Sequence, residues 1–247
     1  MIKPVKPELE HDTIIEILFE DEYLLVANKP SGILVHKTDI DFYSNSNMVT
    51  LLRKQLGKKV FPIHRLDKAT SGVLIFAFDK LTAQLLCQIF AEREVKKEYL
   101  ALVRGHTKAQ GIIESPLKDL ANPKAKQSAF TEYELLKSYE HPFPVRPYAS
   151  ARYSLLRIMP KTGRQHQIRR HLKHIFHPIV GDTVYGDGKH NQHCRNHFKC
   201  TRLMLHAHSL SFVHPHTGCA LSFIAKTPEC FDKVLGMLNS YTCSTSS

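Results

Sequence analysis

Short apolar runs bounded by polar turns recur along the chain, and this pattern is typical of β-strands. The clearest is residues 73–78 (VLIFAF), which lies between Gly72 and Asp79 and predicts a strand that is buried on both faces. Weaker runs predict strands at residues 14–19, 23–28, 98–103, 130–137, 152–158, 203–213 and 219–224.

A smaller number of segments have the apolar spacing of amphipathic helices. Asp79 is a suitable N-cap for one helix, and Gly57 is a suitable end for another. In a third, Ile168, Leu172 and Ile175 face inward, which leaves other faces to His166, Arg169, Arg170 and Lys173. Helices are predicted at residues 48–56, 80–93, 164–176 and 229–238.

The strands come in clusters with few helices between them, which favours an α+β fold over a doubly wound parallel sheet. We expect a central mixed, largely antiparallel sheet that is flanked by helices and loops, with a cleft across the sheet. A single domain is expected at residues 13–240, after a lead-in at 1–12 and before a flexible tail at 241–247. The hydrophilic segment 190–200 is expected to be a loop.

The charge is distributed unevenly along the chain. Lys and Arg number 34 against 23 Asp and Glu, and the net charge is +11. Residues 141–228 contain thirteen Lys and Arg but only two acidic residues, Asp182 and Asp187. This excess predicts a polyanionic partner, because each phosphate that is neutralised releases counterions. The alternatives are a generic basic surface and an anionic membrane, but the sequence has no long basic amphipathic helix with an aromatic-rich face.

The sequence also limits the compartment. No apolar run approaches the roughly 20 residues that cross a bilayer, and residues 1–12 lack the apolar core of a secretory signal. The cysteines lie at positions 87, 194, 200, 219, 230 and 243, and none forms a Cys-x-x-Cys pair. Scattered cysteines of this kind indicate a reducing compartment, so we expect a cytoplasmic protein with no membrane partner.

Two segments carry the strongest candidates for chemistry. Asp67 lies in His-Arg-Leu-Asp-Lys-Ala-Thr-Ser-Gly at 64–72, just before the most apolar strand, where a carboxylate needs a cationic partner to stay ionised. The alternative is an exposed ion pair with Arg65 on a surface turn. The second segment, 159–182, combines arginines and histidines with Gly163, which can open a helix whose first N–H groups face an anion. Its alternative is a helix with a solvated basic face.

Two other features are weaker. Tyr99 lies on a predicted strand, where a tyrosine is most often part of the core. Residues 190–200 contain three histidines and two cysteines, His190, His193, Cys194, His197 and Cys200, which are residue types that bind zinc. Because these donors do not form two separated pairs, we expect a solvated, histidine-rich loop that faces RNA and no metal site.

Taken together, these segments resemble the RluA-type pseudouridine synthases, in the right order from about residue 14 to 225. Residues 64–72 are similar to the signature that contains the family's essential aspartate. Further similar motifs are Asn28–Gly32 with Val35-His36, then Lys97–Tyr99 with Leu102–Gly105, and finally Thr162–His171 with Pro178–Gly186.

The resemblance implies an isomerase that converts a uridine in RNA to pseudouridine without a metal or other cofactor. It implies that Asp67 is the nucleophile or base, that Arg169 or, second, Arg164 keeps it ionised, and that Tyr99 stacks on the extruded uracil beside Ile168. Arg65 would fill the vacated stack and His64 would hold the loop. Lys161, Arg170 and Lys173 would bind phosphates.

Within the family, the resemblance is greatest to the members that modify uridine 65 of tRNA. It rests on Lys161–Leu172, on His177 where most relatives have glycine, and on Arg202–Ala207. Because the motifs begin near residue 14, no N-terminal S4-like domain is expected, which favours a tRNA substrate, and a monomer is expected. The alternatives are a relative that acts on rRNA, an RNA-binding module without chemistry, and a zinc-dependent hydrolase or deaminase built on residues 190–200.

Overall fold

A computed structural model describes residues 13–36, 47–122, 124–145 and 147–242. The predicted lead-in at 1–12 and residues 243–247 of the predicted tail lie outside the described residues. The strands are β1 (Glu16–Glu20), β2 (Leu24–Lys29), β3 (Phe61–Pro62), β4 (Ser71–Ala77), β5 (Lys96–Arg104), β6 (Gln110–Glu114), β7 (Leu117–Lys118), β8 (Lys126–Gln127), β9 (Phe130–His141), β10 (Ala151–Pro160), β11 (Leu205–Val213) and β12 (Ala220–Ile224). The helices are α1 (Met48–Leu56), α2 (Lys80–Ala91), α3 (Gln167–His174), α4 (Gly188–Phe198) and α5 (Glu229–Thr242).

Ten of the described strands form one mixed sheet in the order β1–β2–β4–β11–β5–β10–β9–β6, with β12 beside β11 and β3 beside β4. The strands β7 and β8 form a separate pair. Within the described ranges the pairings are antiparallel except for β4 with β11, where His206 is opposite Ser71 and Ala207 is opposite Gly72. The predicted α+β fold, with a largely antiparallel central sheet, is confirmed.

Strand β4 is the centre of the N-terminal half, and all seven of its residues are buried. Leu74 and Phe76 pack with Met48 and Leu52 of α1, whereas Ile75 packs with Leu86 of α2 on the other face. Successive residues of a strand point to opposite faces, so α1 and α2 cover the two sides of the sheet. This agrees with the strand that the continuous apolar run predicted.

Several predicted helix ends are confirmed at the level of single hydrogen bonds. Asp79 Oδ1 accepts a hydrogen bond from the N–H of Thr82 at 2.8 Å and caps α2. Gly57 has φ of +67° and ends α1. Helix α3 is shorter than the predicted 164–176, because residues 162–166 form a turn that ends at His166 with a left-handed backbone.

The loop that was predicted at residues 190–200 is wrong, because most of this segment is helix α4. Asp187 caps it by accepting hydrogen bonds from the N–H groups of Lys189 and His190. The helix was missed because its buried face is formed mainly by polar residues, namely His190, Asn191, His193, Cys194 and Phe198. The expectation of a solvated, RNA-facing segment is therefore corrected for His190 and His193, which pack inward, whereas His197 is exposed.

Other differences concern the edges of the fold. Strands β6, β7 and β8 were not predicted, and α5 continues to Thr242 rather than ending at residue 238. Tyr241, assigned to the tail, packs edge-on against His141 with ring centroids 4.3 Å apart. None of the helices in the described ranges is long and apolar enough to span a bilayer.

Candidate active site

The segment between β3 and β4 carries Asp67 into a cavity of about 550 Å³. Leu66, just before it, is buried, and the N–H of Thr70 donates to the carbonyl of Asp67 at 3.0 Å, which closes a turn. The walls come from the Asp67 loop, the end of α2, β5 and the start of α3, and they include most of the predicted site residues: His64, Arg65, Asp67, Tyr99, Lys161, Arg164, Ile168 and Arg169.

Arg169 joins two carboxylates at the base of this cavity. Its Nη1 donates to Asp67 Oδ2 at 3.0 Å, while Nε and Nη2 donate to the two oxygens of Asp182 at 2.7 and 2.9 Å. The side chain of Asp67 is 24% exposed, but those of Arg169 and Asp182 are only 7% and 1% exposed. Asp67 is thus the one member of this row that solvent or a substrate can reach from the cavity.

Asp182 is itself fixed in place by backbone hydrogen bonds. Its Oδ1 also accepts hydrogen bonds from the N–H groups of Val184 and Tyr185, both at 2.9 Å. Burial raises the pKa of Asp182, whereas its hydrogen bonds to Arg169 and to these N–H groups lower it. Together the hydrogen bonds have the larger effect, so the net pKa is below its ordinary value. Burial likewise opposes the charge of Arg169, and the two carboxylates outweigh that effect and raise its pKa. Both groups are therefore ionised, and Arg169 is fixed before any ligand arrives.

Arg164 and Arg169 have different hydrogen-bond partners. Arg164 Nε donates to the carbonyl of Ser128 at 3.1 Å, so its side chain spans the cavity wall. The cation that pairs with Asp67 is Arg169, the first of the two candidates. This pairing also corrects the placement of Arg169 away from the inward face of α3, since it is buried.

Tyr99 and His166 complete the surroundings of Asp67. Burial, with a smaller contribution from the charge of Asp67, raises the pKa of Tyr99, so its phenol stays neutral. His166 Nε2 lies 3.8 Å from Asp67 Oδ1, and its Nδ1 is hydrogen-bonded to Tyr185 Oη at 3.0 Å. Burial lowers the pKa of His166, and the charge of Asp67 opposes this only in part.

Gln167 anchors the first turn of α3 and so positions Arg169. Its Oε1 accepts from Thr162 Oγ1 at 2.6 Å and from the N–H of Arg164 at 3.0 Å. Its Nε2 donates to the carbonyl of Phe130 and to Thr131 Oγ1. The buried amide thereby ties the turn that precedes α3 to the start of β9.

The N-terminal motif supports the Asp67 loop from below. Lys29 is fully buried, and its Nζ donates to the carbonyls of Pro30, Lys68 and Thr70 at 3.0, 3.2 and 2.7 Å. Burial is the largest reason why its pKa is lowered to about 7. Ser31 Oγ and the N–H of Gly32 add hydrogen bonds to the carbonyls of Ala69 and Lys68.

The C-terminal half fixes the other end of the same loop. Ser71 Oγ is hydrogen-bonded to His206 Nδ1 and to Arg202 Nη2, both at 2.8 Å. Gly72 has φ of +118°, and a Cβ at this position would lie 2.1 Å from the carbonyl oxygen of Ala207. Only glycine allows β4 and β11 to approach so closely.

The residues that were predicted to bind RNA fall into two groups. Arg65 is exposed at the rim, whereas His64 stacks on Phe90 at 4.8 Å and accepts the N–H of Ile75 at Nε2. Burial lowers the pKa of His64 to about 3, so the ring is neutral. Ile168 is buried in the core near Tyr99. The remaining side chains lie on the surface around α3: Lys161, Arg170 and Lys173.

Sequence reasoning gave no role to three residues that shape this site, Lys29, Asp182 and Arg202. Asp182 carried the available signal, because only two acidic residues occur in 141–228 and an isolated acid among many cations has a partner. Lys29 gave no such signal, because a buried lysine cannot be distinguished from an exposed one by its neighbours in a turn.

The histidines and cysteines of residues 190–200 lie on α4 and, in the case of Cys200, just after it. Within the described ranges, no three His, Cys, Asp or Glu side chains are arranged so that they could hold a metal ion. His193 Nε2 lies 3.2 Å from His141 Nδ1, and Cys194 Sγ lies 3.4 Å from Tyr153 Oη. His193 and Cys194 thus contact buried side chains of β9 and β10.

The chain is similar to known proteins of one family. Residues 23–174 match the family described as RNA pseudouridylate synthase. Similar proteins include the tRNA pseudouridine synthase C of Haemophilus influenzae, 44% identical over 90% of this chain and 97% of that protein. That of Pasteurella multocida is 47% identical over 85% of this chain and 90% of that protein. Human RNA Pseudouridylate Synthase Domain Containing 4 has a similar fold, with a TM-score of 0.71, 25% identity and coverage of 91% and 93% of the two chains. The chain belongs to the RNA pseudouridylate synthase family, whose members isomerise uridine in RNA.

Proposed function

We propose that this enzyme converts a uridine in tRNA to pseudouridine, with Asp67 as the nucleophile or base. The supporting observation is the row Asp67–Arg169–Asp182, in which one buried guanidinium bridges an accessible carboxylate and an inaccessible one. The guanidinium of Arg169 places a fixed positive charge beside the carboxylate that a substrate can reach, and a carboxylate must be ionised to act as a nucleophile or base.

The proposed reaction changes connections without adding or removing atoms. The C1′–N1 bond of the target uridine breaks, the uracil turns, and C5 forms a bond to C1′. C5 then loses a proton and N1 gains one, so the product is an isomer of the substrate. Tyr99, which stays a neutral phenol, would stack on the uracil and assist the proton movement at C5.

The target base must leave its stack before it can reach Asp67, at a cost of a few kcal/mol. We assign the vacated position to Arg65, which is exposed at the rim two residues from Asp67. The surface cations around α3 would bind phosphates and set the position of the RNA, while sequence and shape are recognised at the unstacked region.

The tRNA substrate is supported by the relatives, which are described as tRNA pseudouridine synthase C. We assign position 65 as the target from the motif resemblance in 161–172 and 202–207. A cytoplasmic location is part of the same proposal, and it is supported by the described cysteines, which are all free thiols: Cys87, Cys194, Cys200, Cys219 and Cys230.

The Asp67→Asn variant tests the chemical assignment, because it removes the charge and keeps the shape. We expect pseudouridine formation in tRNA to fall below detection while tRNA binding and the melting temperature stay close to wild type. Glu22→Gln is the matched control, since Glu22 is an exposed carboxylate in the β1–β2 turn. Product formation by Asp67→Asn would refute the role of Asp67, and a wild-type protein that binds RNA without turnover would favour a non-catalytic module.

The substrate is tested in cells that lack this gene. Mapping pseudouridines in tRNA and rRNA should reveal a loss at tRNA position 65, and the wild-type gene but not Asp67→Asn should restore it. A loss in rRNA with tRNA unchanged would instead identify an rRNA enzyme and would contradict the proposed substrate.

A further inference from the structure

Phe176 occupies a position that suits neither its backbone nor its side chain. Its φ is +64°, in the left-handed region where bulky residues are rare and glycine is favoured. Its side chain is 78% exposed. An aromatic residue here therefore costs conformational energy and leaves an apolar ring in solvent, and neither effect helps the fold.

The backbone around Phe176 is held rigidly in this conformation. The N–H of Phe176 donates to the carbonyl of Lys173 at 3.0 Å, and the N–H of His177 donates to the carbonyl of Leu172 at 2.9 Å, which ends α3. Arg104 Nη2 donates to the carbonyl of Phe176 at 3.0 Å, and His177 Nδ1 donates to the carbonyl of Arg104 at 2.8 Å. The ring is thus presented from a fixed support.

Comparable positions elsewhere in the fold are close to the active site or carry a charge. Of the other non-glycine residues with positive φ in the described ranges, Arg93 and His166 line the Asp67 cavity, and Lys199 is an exposed residue that ends α4 and whose amine donates to the carbonyl of Asn196. Strained backbone conformations concentrate at functional sites. Of these four residues, Phe176 is the one with an apolar side chain.

Phe176 also follows closely on the part of α3 that lies beside the Asp67 cavity. Arg169 and Lys173 are one turn apart on α3, and Phe176 comes two residues after the helix ends at His174. Arg169 and Lys173 both lie over the ring of Tyr185, at 5.0 and 5.9 Å from its centroid. The cation three residues before Phe176 therefore shares an aromatic ring with Arg169, and Tyr185 is also hydrogen-bonded to His166 of the Asp67 cavity.

We propose that Phe176 is a stacking platform for an unpaired base of the RNA substrate, a second nucleotide beside the one that enters the Asp67 cavity. An RNA base fits because the ring is apolar and exposed and lies close to the exposed cation of Lys173, while the charge of Asp187 is paired with Arg104, which also contacts the carbonyl of Phe176. A phenyl face binds a base by stacking, and neighbouring cations bind its phosphate. This inference rests on the proposed action on RNA.

The chain contains no tryptophan, so Phe176→Trp creates a single fluorescent reporter at the proposed contact. We expect substrate tRNA to quench this fluorescence, with saturation at the tRNA concentration that saturates turnover. The control is Leu81→Trp, which replaces another exposed apolar side chain at the start of α2. Unchanged Phe176→Trp fluorescence at saturating tRNA, or equal quenching in both variants, would overturn the proposal.

Substitution by glycine separates stability from binding. Phe176→Gly relieves the left-handed strain, so the melting temperature should rise by about 2–4 °C, while KM for tRNA should rise about tenfold. Phe176→Ala should raise KM without raising the melting temperature, Phe176→Tyr should retain the wild-type KM, and Leu81→Ala should leave KM unchanged. An unchanged KM in Phe176→Gly, or dimerisation of wild type that is lost in this variant, would refute the stacking role.

Failure of the inference can be distinguished from failure of the proposed function. Wild-type turnover on tRNA is measured first with the same preparation. An active wild type with indifferent Phe176 variants refutes only the platform. An inactive wild type whose Phe176→Trp variant is still quenched by RNA supports the platform and refutes the tRNA reaction.

Discussion

Arg169 uses all three guanidinium nitrogens on two carboxylates, and this single side chain determines the electrostatics of the site. The resemblance of 162–171 to a known motif was enough to predict that Arg169 or Arg164 pairs with Asp67. It was not enough to predict Asp182, because the bidentate contact depends on how the turn after α3 folds back. The arginine that pairs with Asp67 could therefore be predicted from the sequence. For Asp182 the sequence indicates a cationic partner but does not identify it as Arg169.

Arg169→Lys tests this geometry because lysine keeps the charge but lacks the planar fork. One ammonium cannot hold Asp182 with two hydrogen bonds and also reach Asp67, so we expect kcat/KM for tRNA to fall at least 100-fold. KM should change less than kcat, as the RNA contacts remain. Arg53→Lys on α1 is the control, and it should behave like wild type. Comparable turnover by Arg169→Lys would show that a charge alone suffices.

At the scale of elements, the strands and helices that bury apolar side chains were predictable, and those that bury polar ones were not. Helices α1 and α2 and the strand at 73–78 were predicted because periodicity and caps agreed. Helix α4 was missed because its inward face is histidine, asparagine and cysteine. Those residues are buried because His141 of β9, Tyr153 of β10 and the backbone at Gly181 and Asp182 supply hydrogen-bonding partners, which no local pattern contains.

This polar face makes the packing of α4 sensitive to acid. Burial is the main cause that lowers the pKa of His141 and of His193 to about 4, from an ordinary 6.5, and nearby His197 contributes. Between pH 6.5 and 4 the unfolded chain binds more protons than the folded protein. Their contribution to stability is therefore complete above pH 6.5 and declines as the pH falls towards 4.

His141→Phe should reduce this sensitivity, because His141 is surrounded by the rings of Phe143, Phe198 and Tyr241. We expect the melting temperature of the variant to fall less than that of wild type between pH 7 and pH 5. His174→Gln, at an exposed histidine, should retain the wild-type slope. An identical slope in His141→Phe would mean that other groups control the acid response.

At the scale of the whole molecule, part of the excess positive charge lies beside the cavity that contains Asp67. The basic segment 141–228 supplies α3 and the turn before it, which form one wall of the cavity around Asp67. The excess of positive charge was readable from composition. Its position beside the carboxylate was not, because it depends on a sheet that brings residues 67 and 169 together.

Binding of tRNA should accordingly depend steeply on salt. With about six phosphate contacts, affinity should fall roughly 1,000-fold between 50 and 200 mM salt. Lys173→Ala should reduce the slope of log Kd against log salt concentration by about one. Lys58→Ala, whose amine pairs with Glu20 at 3.1 Å, should leave the slope unchanged. A slope near zero for wild type would contradict phosphate-dominated binding.

The parallel contact of β4 with β11 sets an order of events during synthesis of the protein. The loop that carries Asp67 is fixed by Arg202 and His206, which leave the ribosome some 135 residues after Ser71. An N-terminal fragment that ends before β11 carries both Asp67 and Arg169 but lacks the strand that aligns them. A nascent chain can therefore expose the cations of α3 to RNA before it can catalyse a reaction, and competence arrives only when about the last fifth of the polypeptide emerges.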